Sequence, residues 1–139
     1  MVKIENITGE TFQRFGTVIE FPQENQDAFY ITETEDKQPW RLAVFRYKNK
    51  SIQRIERHPS SKESFEPLSG ITLLLTAEQE TPEDYHIFLL DKPVCLKKNI
   101  WHQVLALSQE AQVKITENLE VESVFYDLPY EIRASVGEV

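Results

Sequence analysis

The chain has 139 residues, enough to bury one sizeable core and too few for two, so positions 1–139 read as a single domain. Apolar residues make up 40% and charged residues 27%, the balance of an ordinary folded globule, and no apolar run is long enough to cross a bilayer. With 23 acidic against 15 basic residues the formal charge is -8, which speaks against a nucleic-acid partner because phosphate binding needs a basic footprint. A polar N-terminus and a single cysteine, Cys95, lead us to expect a cytoplasmic protein without an intrachain disulfide or a sulfur-rich metal site.

The chain opens with a short predicted helix. Thr8 is its N-cap, Glu10 favours the positive end of the dipole, and Gly16 is expected to close it in the left-handed conformation. Phe12 and Phe15, three apart, both face the core. Extended runs rich in β-branched and aromatic residues follow. They are Thr17–Phe21, Arg41–Tyr47, Ser51–His58, Gly70–Thr76, Tyr85–Leu90, His102–Leu107, Val113–Thr116 and Val121–Tyr126. Polar connectors separate them, among them the charged stretch Thr32–Pro39, read as an exposed loop. About eight short strands without intervening long helices predict a sandwich or barrel rather than a parallel α/β sheet. The tail beyond Pro129 shows little pattern and reads as loosely attached.

Three histidines, His58, His86 and His102, are the principal groups that titrate near neutral pH. Strand alternation puts Arg54, Glu56 and His58 on one face, which is either the solvent face or the lining of a polar pocket. Alternation by itself favours solvent. His86 shares a face with Phe88 and Leu90 and reads as a hydrogen-bonded edge or core histidine. Cys95 reads as an inert buried thiol, and Trp40 and Trp101 as large anchors, Trp101 pointing away from the face of His102. No serine has a base and oxyanion signature beside it, and there is no glycine-rich phosphate loop.

Glu56, His58, Glu63 and Gly70 fall as E-x-H-x4-E-x6-G. This is similar to the first cupin motif, H-x-H-x4-E-x6-G, with Glu56 in place of its first histidine. His102 stands where a second motif supplies a further histidine. Glu56, His58, Glu63 and His102 together suit a divalent metal such as Ni, Mn, Fe or Zn.

Larger blocks carry a closer resemblance. Ile55-Glu56-Arg57-His58-Pro59, Phe65-Glu66-Pro67-Leu68, Asn99-Ile100-Trp101-His102 and the opening Thr8–Glu20 resemble, in order, segments of the ureidoglycolate lyase (ureidoglycolate hydrolase) family. The resemblance implies a mainly β fold, a cupin-like double-stranded β-helix barrel with a short N-terminal helix, assembled as a homodimer. It also implies cleavage of ureidoglycolate, a small carboxylate, to glyoxylate and urea in purine (allantoin) nitrogen catabolism. By carry-over Glu56, His58 and His102 are the catalytic candidates. The chain departs from the family in two places. Trp101-His102 continues as Gln103-Val104 rather than His-Pro, and the counterpart of the family's site loop, Thr32–Trp40, has no Asn, Gly or Arg. A carboxylate substrate needs a cationic partner, so Arg54 and Lys98 become the substrate-binding candidates, with Arg41 as another. Two other readings stay open: a cupin-like protein that binds a small carboxylate or sugar without turnover and without metal, and a metal-dependent cupin enzyme acting on another small acid.

Overall fold

The computed structural model describes residues 2–136. In chain order the elements are β1 (Ile4–Asn6), α1 (Gly9–Phe12), β2 (Gly16–Val18), β3 (Trp40–Tyr47), β4 (Ser51–Arg57), β5 (Glu63–Ser69), β6 (Thr72–Ala77), β7 (His86–Leu89), β8 (Val94–Leu96), β9 (Trp101–Ala106), β10 (Ala111–Asn118) and β11 (Val124–Arg133). They form a six-stranded sheet, β1-β7-β6-β9-β4-β11, and a five-stranded sheet, β2-β8-β5-β10-β3. Among the described residues every pairing is antiparallel except β1 with β7. The two sheets face each other as the expected cupin-like barrel. Among the described residues no helix is long and apolar enough to cross a membrane.

The barrel closes because each sheet turns an apolar face inward. Leu74, Phe88, Val104 and Ala106 from the larger sheet pack with Tyr47, Phe65, Val94, Leu96, Val113 and Ile115 from the smaller. Burying a side chain of this size contributes about 1.5–3 kcal/mol, so these contacts outweigh the weak preferences of such short strands. A second cluster covers the outer face of the six-stranded sheet, where Leu73, Leu75, Ile55, Trp101 and Leu105 meet Leu128 and Ile132.

Thr8 caps α1 as expected, in a reciprocal capping box with Thr11, and Phe12 and Phe15 pack edge-on to Phe88 at 5.1 and 5.8 Å. Gly16 does not close the helix. It is the first residue of β2, and glycine is required there because a Cβ would meet the Cys95 carbonyl oxygen at 2.0 Å. Three strands escape the sequence pattern. β1 and β8 are too short to show a period, and β5 holds Glu63, Ser64 and Pro67, residues that read as connector.

The tail is also corrected. β11 runs through Pro129 to Arg133, with a register break between Asp127 and Ile132 that lets Leu128 and Ile132 reach the outer cluster. Residues 137–139 of that tail lie outside the described part. Trp40 is no anchor: it is 63% exposed on the edge strand β3. Trp101 is buried, facing away from His102, with its indole N–H donating to Gln79 O.

Candidate active site

Two rows of residues, one on each sheet, meet inside the barrel. On the larger sheet the register sets Thr76 opposite His102 and His102 opposite Glu56. On the smaller, Glu117 of β10 stands between Glu63 of β5 and Arg41 of β3. The alternation that buries Val113 and Ile115 carries Glu117 inward with them. His58 follows the last residue of β4 and turns in between the two rows. Glu56, His58, Glu63 and His102 therefore line one cleft of about 440 Å³, together with Arg41, Phe65, Glu117 and Ser123. The face of Glu56 and His58 looks into this cleft rather than to solvent.

Main-chain carbonyls fix the imidazoles. His58 Nδ1 donates to Glu122 O at 3.0 Å, and His102 Nδ1 donates to Ile100 O at 2.9 Å. With the proton held on Nδ1, each ring turns Nε2 toward the cleft. Both Nε2 atoms approach the same oxygen, Glu63 Oε1, at 2.9 Å from His58 and 3.0 Å from His102. Neither approach completes a hydrogen bond, and Glu63 Oε1 and His102 Nε2 are left buried without a partner. Such orphaned atoms cost roughly 1–3 kcal/mol apiece unless something else engages them. Glu56 stands further back, with Oε1 3.8 Å from His102 Nε2 and 4.0 Å from His58 Nε2.

Two overlapping donor sets result, Glu56 with His58 and His102, and His58 with Glu63 and Glu117, each with its ligand atoms within 4.8 Å of one another. Neutral imidazole nitrogens beside carboxylates, each ring anchored through its other nitrogen, suit a borderline divalent cation. The orphaned Oε1 and Nε2 are the atoms such an ion would engage.

The charges of the cluster are coupled. Burial pushes Glu63 up, but the charge of His102 and the contacts with both imidazoles outweigh it and hold the carboxyl at about 2. Burial pulls His58 and His102 down, and Glu63 outweighs it in turn, so both titrate above 6.5. Glu117 is raised by burial and then by the nearness of Glu63, against the pull of Arg41.

A pH profile follows for protein kept in chelator. The raised histidines stabilise the fold fully below their unfolded value of 6.5, and that contribution is lost as pH rises through their folded values. The depressed Glu63 stabilises it above 4.5, and that contribution fades as pH falls toward about 2. Tm measured in chelator should therefore fall as pH rises above 6.5. Glu63→Gln should flatten that slope; the same slope in the variant would locate the titration elsewhere.

The other sequence candidates lie apart from the cleft. Arg54 is exposed, binds Asp127 through Nε at 2.8 Å and lies over the Phe125 ring. Lys98 pairs with Glu35 at 3.4 Å. The structure does not bring either to the cluster, whereas Arg41 reaches the mouth, forked onto Glu117 Oε2 at 2.9 and 2.6 Å. The loop Thr32–Pro39 lies outside the barrel, held by Lys62 to Glu33 and to Thr34 O, and lines a separate 480 Å³ pocket with Cys95 and Ser64. Cys95 is half-buried rather than buried, and burial pushes its thiol up to about 11, which leaves it unreactive as expected. His86 is hydrogen-bonded to Glu5 and Arg14.

A family model described as Ureidoglycolate lyase matches residues 1–132. The ureidoglycolate lyase of Agrobacterium fabrum (strain C58 / ATCC 33970) is 27% identical, covering 94% of this chain and 95% of the relative. That of Rhizobium etli (strain CIAT 652) is 26% identical, covering 91% and 79%. Among solved structures, a TDP-quinovose 3,4-ketoisomerase from Campylobacter jejuni superposes with a TM-score of 0.46 at 18% identity, covering 68% of this chain and 69% of the other.

Proposed function

The chain belongs to the ureidoglycolate lyase family, and from that premise we propose that it cleaves ureidoglycolate to glyoxylate and urea in the cleft between its two sheets. The observation that carries the placement is the convergence of His58 Nε2 and His102 Nε2 on Glu63 Oε1.

The reaction is the collapse of a carbinolamide. The hydroxyl loses its proton, the carbon–oxygen double bond forms as the carbon–nitrogen bond breaks, and the departing urea nitrogen takes up a proton. Drawn from the two overlapping donor sets, His58, His102 and the Glu63 oxygen on which both converge would hold a divalent metal, which when bound supplies Lewis-acid polarisation of the substrate's hydroxyl and carboxylate oxygens. With both Nε2 atoms given to that role, the mobile proton would fall to a carboxylate. Glu56, set back from the imidazoles and lining the cleft, accepts the hydroxyl proton at its Oε1 and returns it to the leaving nitrogen. Phe65 and Val104 line the apolar side of the cleft.

Arg41 is the carboxylate partner. Its guanidinium is already forked onto a carboxylate oxygen, that of Glu117, and it lines the same cleft. Arg41→Ala should raise KM by on the order of tenfold or more with a smaller change in kcat, and Arg41→Lys should recover part of that loss. Steady-state kinetics decide it, and an unchanged KM would remove Arg41 from substrate binding.

The reading extends to a homodimer in the cytoplasm. Supporting it are the open edge of β3, where Trp40, Leu42 and Val44 are exposed, and the single cysteine, which suits a reducing compartment. Sedimentation of the wild-type chain beside Val44→Lys tests the dimer.

The direct test is glyoxylate release from ureidoglycolate by the purified protein, stripped of metal and then supplied with Mn or Ni. Turnover under either condition supports the lyase; silence under all of them would overturn it in favour of a ligand-binding barrel.

A further inference from the structure

His58 directly follows β4 and His102 lies on β9, two neighbouring strands whose registered ladder is thin. β4 and β9 share one registered pair, Glu56 with His102, whereas β6 and β9 share six. A ladder that thin does not by itself hold the end of β4, where His58 lies, at a set distance from the start of β9. Side chains and one turn supply the missing connection.

Asn99, three residues before His102, is one of two non-glycine residues with positive φ among the described residues, at 68°. In that conformation its N–H donates to His58 O at 3.0 Å, while its Oδ1 accepts from Arg57 Nη1 at 2.6 Å. The next residue, Ile100, offers the carbonyl that holds His102 Nδ1. One turn therefore grips the backbone of His58 on one side and orients the ring of His102 on the other. Arg57 is itself confined, with its guanidinium 5.2 Å over the Trp101 ring and its buried Nε without a partner. An arginine that leaves a buried N–H unsatisfied forgoes free energy, so its geometry is not set by hydrogen bonding alone.

We propose that Arg57 and Asn99 are positioning residues, a latch between the two histidine-bearing segments that sets the separation of His58 Nε2 and His102 Nε2. The proposal rests on the reading that these two histidines form the site. Neither latch residue lines the cleft, so neither touches substrate.

The test compares Asn99→Gly, which keeps the left-handed turn but loses Oδ1, with Asn99→Asp, which keeps an acceptor for Arg57. The latch predicts that Asn99→Gly weakens Mn(II) binding roughly 10- to 100-fold and lowers kcat with little change in KM. It predicts that Asn99→Asp stays within about threefold of wild type in both. A third readout needs neither metal nor turnover: hydrogen exchange of the His102 Nδ1–H by NMR. It should speed up at least about tenfold in Asn99→Gly, while the amide of Leu74 in the inter-sheet core keeps its protection. Arg57→Lys, which keeps the charge and loses the planar guanidinium that meets Asn99 Oδ1 over the Trp101 ring, should resemble Asn99→Gly, and combining the two should cost no more than either alone.

A fall in Tm in Asn99→Gly, with Mn(II) affinity, kcat and Nδ1–H exchange all at wild-type values, would overturn the latch. If wild-type protein binds no Mn(II) and releases no glyoxylate, the proposed function fails. The exchange readout then still decides for or against the latch.

Discussion

Glyoxylate release should fall on the order of a thousandfold or more in His102→Ala, the largest functional effect we expect of any single substitution. His102 is buried, faces the inside of the barrel and brings Nε2 to 3.0 Å from Glu63 Oε1. Its charge is the chief influence that, against burial, keeps the Glu63 carboxyl near 2. Without the imidazole, Glu63 retains His58 alone, and a buried carboxylate with less compensation either takes up a proton or destabilises the fold. The substitution thus removes a donor and alters the acid beside it. His102→Gln fills more of the space and separates the two consequences: it should recover stability while leaving the rate low. Initial rates at saturating ureidoglycolate, with circular dichroism to confirm folding, measure both. More than about a tenth of the wild-type rate in either variant would remove His102 from the reaction.

Gly70→Ala should cost on the order of 3 kcal/mol of stability. Gly70 has φ +74°, and a Cβ there would meet Glu110 O at 2.2 Å, Ser108 Oγ at 2.7 Å and Ala111 Cα at 2.8 Å. The first and third are backbone atoms, which cannot rotate away. An L side chain adds the strain of the left-handed region, about 1–2 kcal/mol, to that displacement. The residue joins β5 to β6, where the chain passes from the five-stranded to the six-stranded sheet. Urea unfolding should show a lower midpoint with an unchanged slope. Turnover per folded molecule should stay near wild type, since Gly70 does not line the cleft. A loss below about 1 kcal/mol would mean that the β10 end gives way more readily than its backbone contacts indicate.

These two residues show how legible the chain is. Gly70 and His102 both stand in motif positions, and the spacing of Glu56, His58, Glu63 and His102 names the cleft cluster before any coordinates. Glu117 was missed although its signal was present: it continues the alternation of Val113 and Ile115, and one more residue on that face points inward. Arg54 and Lys98 are cations close to the motif residues in sequence, but the fold sets them against Asp127 and Glu35. Arg41 reaches the cleft only because β3 pairs with β10, a contact between residues 76 apart.

By itself the sequence determined what is local: the cap at Thr8, the burial of Phe12 and Phe15, most of the strands, and the family. Those depend on side-chain period, turn chemistry and motif spacing, which act over a few residues. The tertiary structure decided which face of each strand is the inside. Alternation divides a strand into two faces without ranking them, and a row of Arg, Glu and His looks like a solvent face until a second sheet is laid over it. Placing Glu63 of the smaller sheet against His58 and His102 drew Glu56 and His58 out of that row into a site and left Arg54 in solvent. Pairing β3 with β10 selected Arg41 at its mouth, because strand partners are chosen by burying both sheets at once.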